Sequence, residues 1–106
     1  MMKKITYKWL IKKDACPDGI RWFKRNYPDG LVITKRNMGV LVDKLLRRRK
    51  GFYKDNVKWD TRATLHFLID SLTDHYSVFI NVRDIELKDL TSETLLDAFW
   101  KEYEAK

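Results

Sequence analysis

The stretch Met38 to Lys50, M-G-V-L-V-D-K-L-L-R-R-R-K, constrains the fold more than any other part of the chain. Met38, Leu41, Val42, Leu45 and Leu46 recur at i, i+3, i+4, i+7 and i+8, which places them in one stripe of an amphipathic helix. Such a stripe must be buried against other elements, so the rest of the chain has to supply a core. Arg47, Arg48, Arg49 and Lys50 then crowd the expected last turn, and Gly51 stands at a natural stop. The helix is predicted over about Lys35 to Lys50, capped by Thr34 or Asn37. Gly39 costs it about 1 kcal/mol relative to Ala and loosens its first turn.

A chain of 106 residues fits one domain, residues 1–106, and is long enough to bury a core without staples. Its apolar fraction, 44%, is that of a folded protein rather than a disordered one. Cys16 is the single cysteine, so no internal disulfide forms, and a cytoplasmic setting fits. The basic residues Met1 to Lys4 do not lead into a signal-peptide core, because Lys8, Lys12 and Lys13 interrupt it. No apolar run is long enough to span a bilayer, so no membrane insertion is expected.

The remaining pattern suggests an α+β domain. Ile5, Tyr7, Trp9 and Ile11 alternate with Thr6, Lys8 and Lys12, as in a half-buried strand, with Leu10 out of phase. Asp14 offers a cap and Pro17 a first position for a helix running to about Asn26. Cys16, Ile20, Phe23 and Tyr27 stack along that helix, with Trp22 flanking them. Tyr27-Pro28-Asp29-Gly30 is a turn signal, and Leu31 to Ile33 is a short apolar run that fits a brief strand or a helix entry. Gly51 to Trp59 is polar and aromatic without a period and reads as a loop. A helix from Asp60 or Thr61 to about Leu72 follows, striped by Leu65, Leu68, Ile69 and Leu72. Tyr76, Val78, Ile80 and Val82 alternate with Ser77, Asn81 and Arg83, the pattern of a second half-buried strand. Asp84 to Leu90 is ambiguous. The last helix starts after Thr91 or Ser92 and carries Leu95, Leu96, Phe99, Trp100 and Tyr103. The expected architecture is a small sheet of two to four strands with about four helices, in the order β-α-(β)-α-α-β-α.

Catalytic chemistry finds no constellation in this sequence, and a non-enzymatic protein without cofactor or metal is expected. His66 and His75 are the only histidines, and His66 falls beside a helix stripe, where an edge-of-core role suffices. Cys16 precedes a helix, but a role as a buried small hydrophobe explains it. Asp14, Asp18 and Asp29 are spread over turns and caps. Two histidines and one cysteine make no zinc pattern, and the glycines form no phosphate loop.

Charge carries the functional signal. Met1 to Arg62 holds 18 Lys and Arg against 6 acids, a balance of +12, while Ala63 to Lys106 holds 4 against 9, a balance of −5. Their sum is the net +7 of the whole chain. A helix dipole is complemented by one or two terminal cations at about 0.3–1 kcal/mol each, so four successive cations exceed that need. They run directly into Gly51, Phe52, Tyr53 and Lys54, and basic residues interleaved with aromatics suit phosphates and stacked bases. The candidate binding residues are Arg36, Lys44, Arg47, Arg48, Arg49, Lys50, Phe52, Tyr53, Lys54 and Lys58. Nucleic acid is the first candidate partner; an acidic protein surface, gripped by Arg and Tyr anchors, is the alternative. The loop after the helix is too long for helix-turn-helix spacing, and no RNA-recognition signature occurs. The sequence leaves open whether Arg47 to Lys50 face a partner or turn inward to the acidic C-terminal half.

Asp14 to Gly30, D-A-C-P-D-G-I-R-W-F-K-R-N-Y-P-D-G, combines an Ala-Cys pair, an aromatic-Phe pair and a Pro-Asp-Gly turn. It resembles a segment of small uncharacterised bacterial and phage-borne proteins. The resemblance implies a phage or prophage protein that binds a host macromolecule, including one that inhibits or redirects a host nucleic-acid-processing or defence complex. It transfers no site residues.

Overall fold

A computed structural model describes residues 4–73 and 81–104. The elements run β1 (Lys4–Ile5), α1 (Tyr7–Lys12), α2 (Pro17–Asn26), β2 (Leu31–Val32), α3 (Lys35–Leu46), α4 (Val57–Thr73), α5 (Asn81–Asp84), a 3-10 turn (Leu87–Asp89) and α6 (Ser92–Glu104). The two strands pair antiparallel, Lys4 opposite Val32 and Ile5 opposite Leu31. This is the expected α+β class, at the small end of its expected sheet. The Pro-Asp-Gly turn positions β2: the Gly30 N–H donates to the Tyr27 carbonyl at 3.0 Å, and Gly30 has φ 92°. A side chain there would be strained and would also strike Lys4 of the paired strand.

The core lies where α3, α4 and α6 meet. Met38, Leu41, Val42 and Leu45 are buried on α3, and Leu46 is partly so. Leu65, Leu68, Ile69 and Leu72 are buried on α4, while Leu95 and Phe99 come from α6. These are the periodic stripes of the sequence, and the hydrophobic effect explains why they converge: each buried aliphatic side chain contributes about 1.5–3 kcal/mol. Short-range caps fix where the helices begin. The Thr34 hydroxyl accepts from the Asn37 N–H at 3.1 Å, and the Thr91 hydroxyl from the Thr94 N–H at 3.1 Å.

Several expected boundaries are corrected. The strand expected over Ile5 to Ile11 stops at Ile5, because the Thr6 hydroxyl accepts from the Trp9 N–H at 3.1 Å and starts α1. Leu10, the residue out of phase, goes into the core, while Ile11 is 54% exposed. Asp14 does not cap α2. It sits in the left-handed region at φ 59°, and the Cys16 thiol caps instead, accepting from the Gly19 N–H at 3.4 Å. Helix α4 starts at Val57 rather than Asp60 or Thr61, since the Asn56 side chain accepts from the Trp59 N–H at 3.0 Å. Of the strand expected around Tyr76 to Arg83, residues 76–80 lie outside the described residues. Its end, from Asn81, is helical in α5, with Val82 fully buried. The ambiguous Asp84 to Leu90 segment contains the 3-10 turn, so it contributes no strand.

The largest correction concerns the basic run. Helix α3 ends at Leu46, and Arg47 is its C-cap, so Arg48 to Lys50 lie beyond the helix. The Arg48 side chain folds back, its Nε donating to the Leu45 carbonyl at 2.9 Å. This bond occupies a helix-end carbonyl.

Candidate nucleic-acid interface

The segment from Arg47 to Asp60 is built around one carboxylate. Asp60, in the first turn of α4, is fully buried. Arg48 Nη2 donates to its Oδ1 at 2.8 Å and to the Thr61 hydroxyl at 3.3 Å. The Tyr53 and Lys54 backbone N–H groups donate to its Oδ2 at 2.7 and 3.2 Å. Burial alone would raise the Asp60 pKa. The N–H groups of Tyr53 and Phe52, the Arg48 guanidinium and the Lys54 N–H outweigh burial and hold it below its ordinary value. Arg48 is 6% exposed at its side chain and stacks on Phe52, its Cζ 3.9 Å from the ring centroid. Its Nη1 has no hydrogen-bond partner among the described residues, so stacking and one polar edge hold the guanidinium.

This lock explains Gly51. A Cβ at that position would lie 2.0 Å from the Lys54 carbonyl oxygen and 2.6 Å from Asp60 Cγ. The glycine is required because the loop wraps closely on the carboxylate, rather than as the helix stop suggested by its sequence position.

Arg48 therefore points inward, to an acid of its own basic half rather than to the acidic C-terminal half. Its neighbours do the opposite: Arg47, Arg49 and Lys50 are exposed and take part in no ion pair among the described residues. Lys35 with Asp97, at 3.9 Å, is an ion pair that does link the two halves.

Across from the loop stands α2. Arg21, Trp22 and Arg25 face Lys50, Phe52, Tyr53 and Lys54 over a cleft of about 410 Å³ that also takes in Asp18 and Asp55. Four cations and two acids leave a formal +2 at the cleft, and Asp18 is already paired with Arg21. Trp22 and Phe52 meet edge to face at 5.9 Å. Tyr53 is 51% exposed, and it lines the same inner recess as Cys16. Burial of its hydroxyl, then the proximity of Cys16 and the negative charge of Asp60, push its pKa up to about 12. Behind this wall lies an apolar cavity of about 40 Å³ lined in part by Leu10, Cys16, Phe23, Leu41 and Leu45. Its lining offers little to a charged ligand, whereas the charged side chains stand at the outer cleft.

The candidate residues thus separate. Lys50, Phe52, Tyr53 and Lys54 line the cleft, and Arg47 and Arg49 adjoin it along the chain. Lys54 Nζ lies 5.5 Å from the centroid of Trp59, and Lys44 Nζ lies 4.7 Å from that of Tyr27. Lys58 is exposed in the first turn of α4. Arg36 lies on an open groove between α3 and α6, with Glu93 and Leu96, and does not line the cleft. The sequence does not join Arg21, Trp22 and Arg25 to the basic run, because they lie on α2 and no local period links the two elements. Asp60 reads there as a helix start, because no local period marks a carboxylate that serves residues six to twelve positions earlier.

Cys16 and His66 line separate recesses. His66 Nε2 lies 3.4 Å from Asp70 Oδ2 on α4 and borders Trp59, Arg62 and Ala63. Among the described residues no group of three or more His, Cys, Asp or Glu side chains could hold a metal ion, and no helix is long and apolar enough to cross a membrane. Comparisons with protein-family models, curated proteins and solved structures gave no match.

Proposed function

We propose that this chain is a non-enzymatic binding protein whose ligand is nucleic acid, held through its phosphates at the cleft between α2 and the Arg47–Asp60 segment. The observation that carries this reading is the placement of Arg21 and Arg25 opposite Lys50 and Lys54, with aromatic rings between them. Cations on two walls suit a polyanion that passes between them, and displaced counterions supply the affinity. The buried Arg48–Asp60 pair keeps the loop in place, while Arg25, Lys50 and Lys54 take part in no ion pair among the described residues and Arg21 is shared with Asp18. The resemblance of Asp14 to Gly30 to phage-borne proteins suggests a cytoplasmic host nucleic acid as the target.

Docking on an acidic host protein is a second reading, favoured by the exposed Tyr53 beside arginines, since Tyr and Arg are frequent interface anchors. Affinity capture from host extract with and without nuclease separates the two. Loss of all co-purifying material after nuclease is the expected outcome. A stoichiometric protein partner that survives nuclease would replace the nucleic-acid reading with the second one.

A further inference from the structure

We infer that the cleft takes an unpaired strand rather than a duplex, with one base stacked on Tyr53. This rests on the phosphate-binding reading above and names the ligand class for the same site. Tyr53 is fixed through its backbone. Its N–H donates to Asp60 at 2.7 Å, and half of the residue remains exposed. Among the described residues, the other large exposed hydrophobics are the aliphatic Ile11, Val32 and Val40. A fixed backbone that carries an uncovered aromatic ring lowers the ordering cost of binding. The ring is a platform, and stacking on such a platform tolerates any base.

The surrounding shape favours a single strand. The cations sit on facing walls of a concave cleft of about 410 Å³, within the range of small-ligand pockets, roughly 300–1,000 Å³. A space of that size admits a nucleotide of an extended strand, and a base must leave its duplex to reach Tyr53. The basic run also offers no helix to lay in a major groove, about 12 Å wide, because α3 ends at Leu46 before it. Arg47 and Arg49 then lie along the path of a strand leaving the cleft past Lys50.

The test is a fluorescence titration of the full chain with a thymine homopolymer of about twelve nucleotides and with a blunt duplex of the same length, at one low salt concentration. The single strand is expected to bind about tenfold tighter or more and to quench tryptophan emission, as Trp22 borders the cleft. Tyr53→Ala should weaken single-strand binding about tenfold and leave duplex binding unchanged, while Tyr53→Phe keeps most of the affinity. If Tyr53→Ala lowers the melting temperature, Tyr53→Leu serves in its place, because it retains apolar bulk without an aromatic face. Equal or tighter duplex binding, or equal weakening of both forms by Tyr53→Ala, overturns the single-strand inference and leaves the phosphate reading standing. Failure of the wild type to bind either form removes both.

Discussion

The α3–α4–α6 core and the Arg47–Asp60 segment abut one another but are held together by different physics. In the core, Met38, Leu45, Leu65 and Phe99 are buried by non-directional apolar contact. In the segment, three donors converge on one carboxylate with distances between 2.7 and 3.2 Å. Apolar contact tolerates changes of shape that conserve volume. A buried carboxylate tolerates little, because removing it strands the Arg48 charge. The core therefore tolerates change, whereas the shape of the segment depends on a single carboxylate.

The largest expected effect is on that segment. Asp60→Ala leaves Arg48 buried without its counter-charge, so a loss of roughly 3–5 kcal/mol is expected in urea denaturation. Binding should also fall, because Tyr53 and Lys54 lose the acceptor that holds their backbone. If Asp60→Ala costs no more than an ordinary surface substitution, about 0.5 kcal/mol, the carboxylate does not organise the segment. Leu65→Ala, in the core, should cost a similar or slightly smaller amount, about 2–5 kcal/mol, but leave the salt dependence of binding unchanged. A changed salt dependence in Leu65→Ala would show that the two regions are not separable.

Acid sharpens the contrast further. The folded Asp60 pKa lies below its ordinary value of 3.8, so the folded state favours the charged form. Its contribution is complete above that ordinary value and is lost as pH falls through the folded one. Wild-type unfolding free energy should therefore drop below about pH 4 more steeply than that of Asp60→Asn, which has no charge to lose there. Parallel profiles would mean that other carboxylates govern the acid response. The smallest effect is expected at the far end of α3. Thr34→Ala removes the hydroxyl that caps Asn37 N–H and should cost about 1 kcal/mol, with no change in binding.

The same contrast explains what could be read from the sequence. The stripes of α3, α4 and α6 were legible because helical burial repeats at a period of 3.6, and Leu41, Leu68 and Phe99 are buried as expected. The Pro-Asp-Gly turn was legible from backbone chemistry, whereas the run Leu31 to Ile33 fitted a brief strand or a helix entry until its pairing with Lys4–Ile5 decided it. The Thr6 cap was not, since alternation from Ile5 to Ile11 matched a strand everywhere except at Leu10, the one residue that the helix buries. The segment from Arg47 to Asp60 was legible in composition but not in geometry. Four successive cations look equivalent in sequence. Only a partner twelve residues away decides that Arg48 turns inward while Arg47, Arg49 and Lys50 stay out. Long-range, directional contacts leave no period, so Arg21 and Arg25 could not be joined to the same surface before the fold was known.

The most direct measurement is the dependence of single-strand affinity on salt. Each phosphate neutralised contributes a slope of about −0.7 in log affinity against log salt. Engagement of Arg21, Arg25, Lys50 and Lys54 should contribute about −3 to the wild-type slope, and replacing the four by Gln should make the slope shallower by about that amount with the fold intact by circular dichroism. An unchanged slope in that variant would contradict the placement of the phosphates in this cleft.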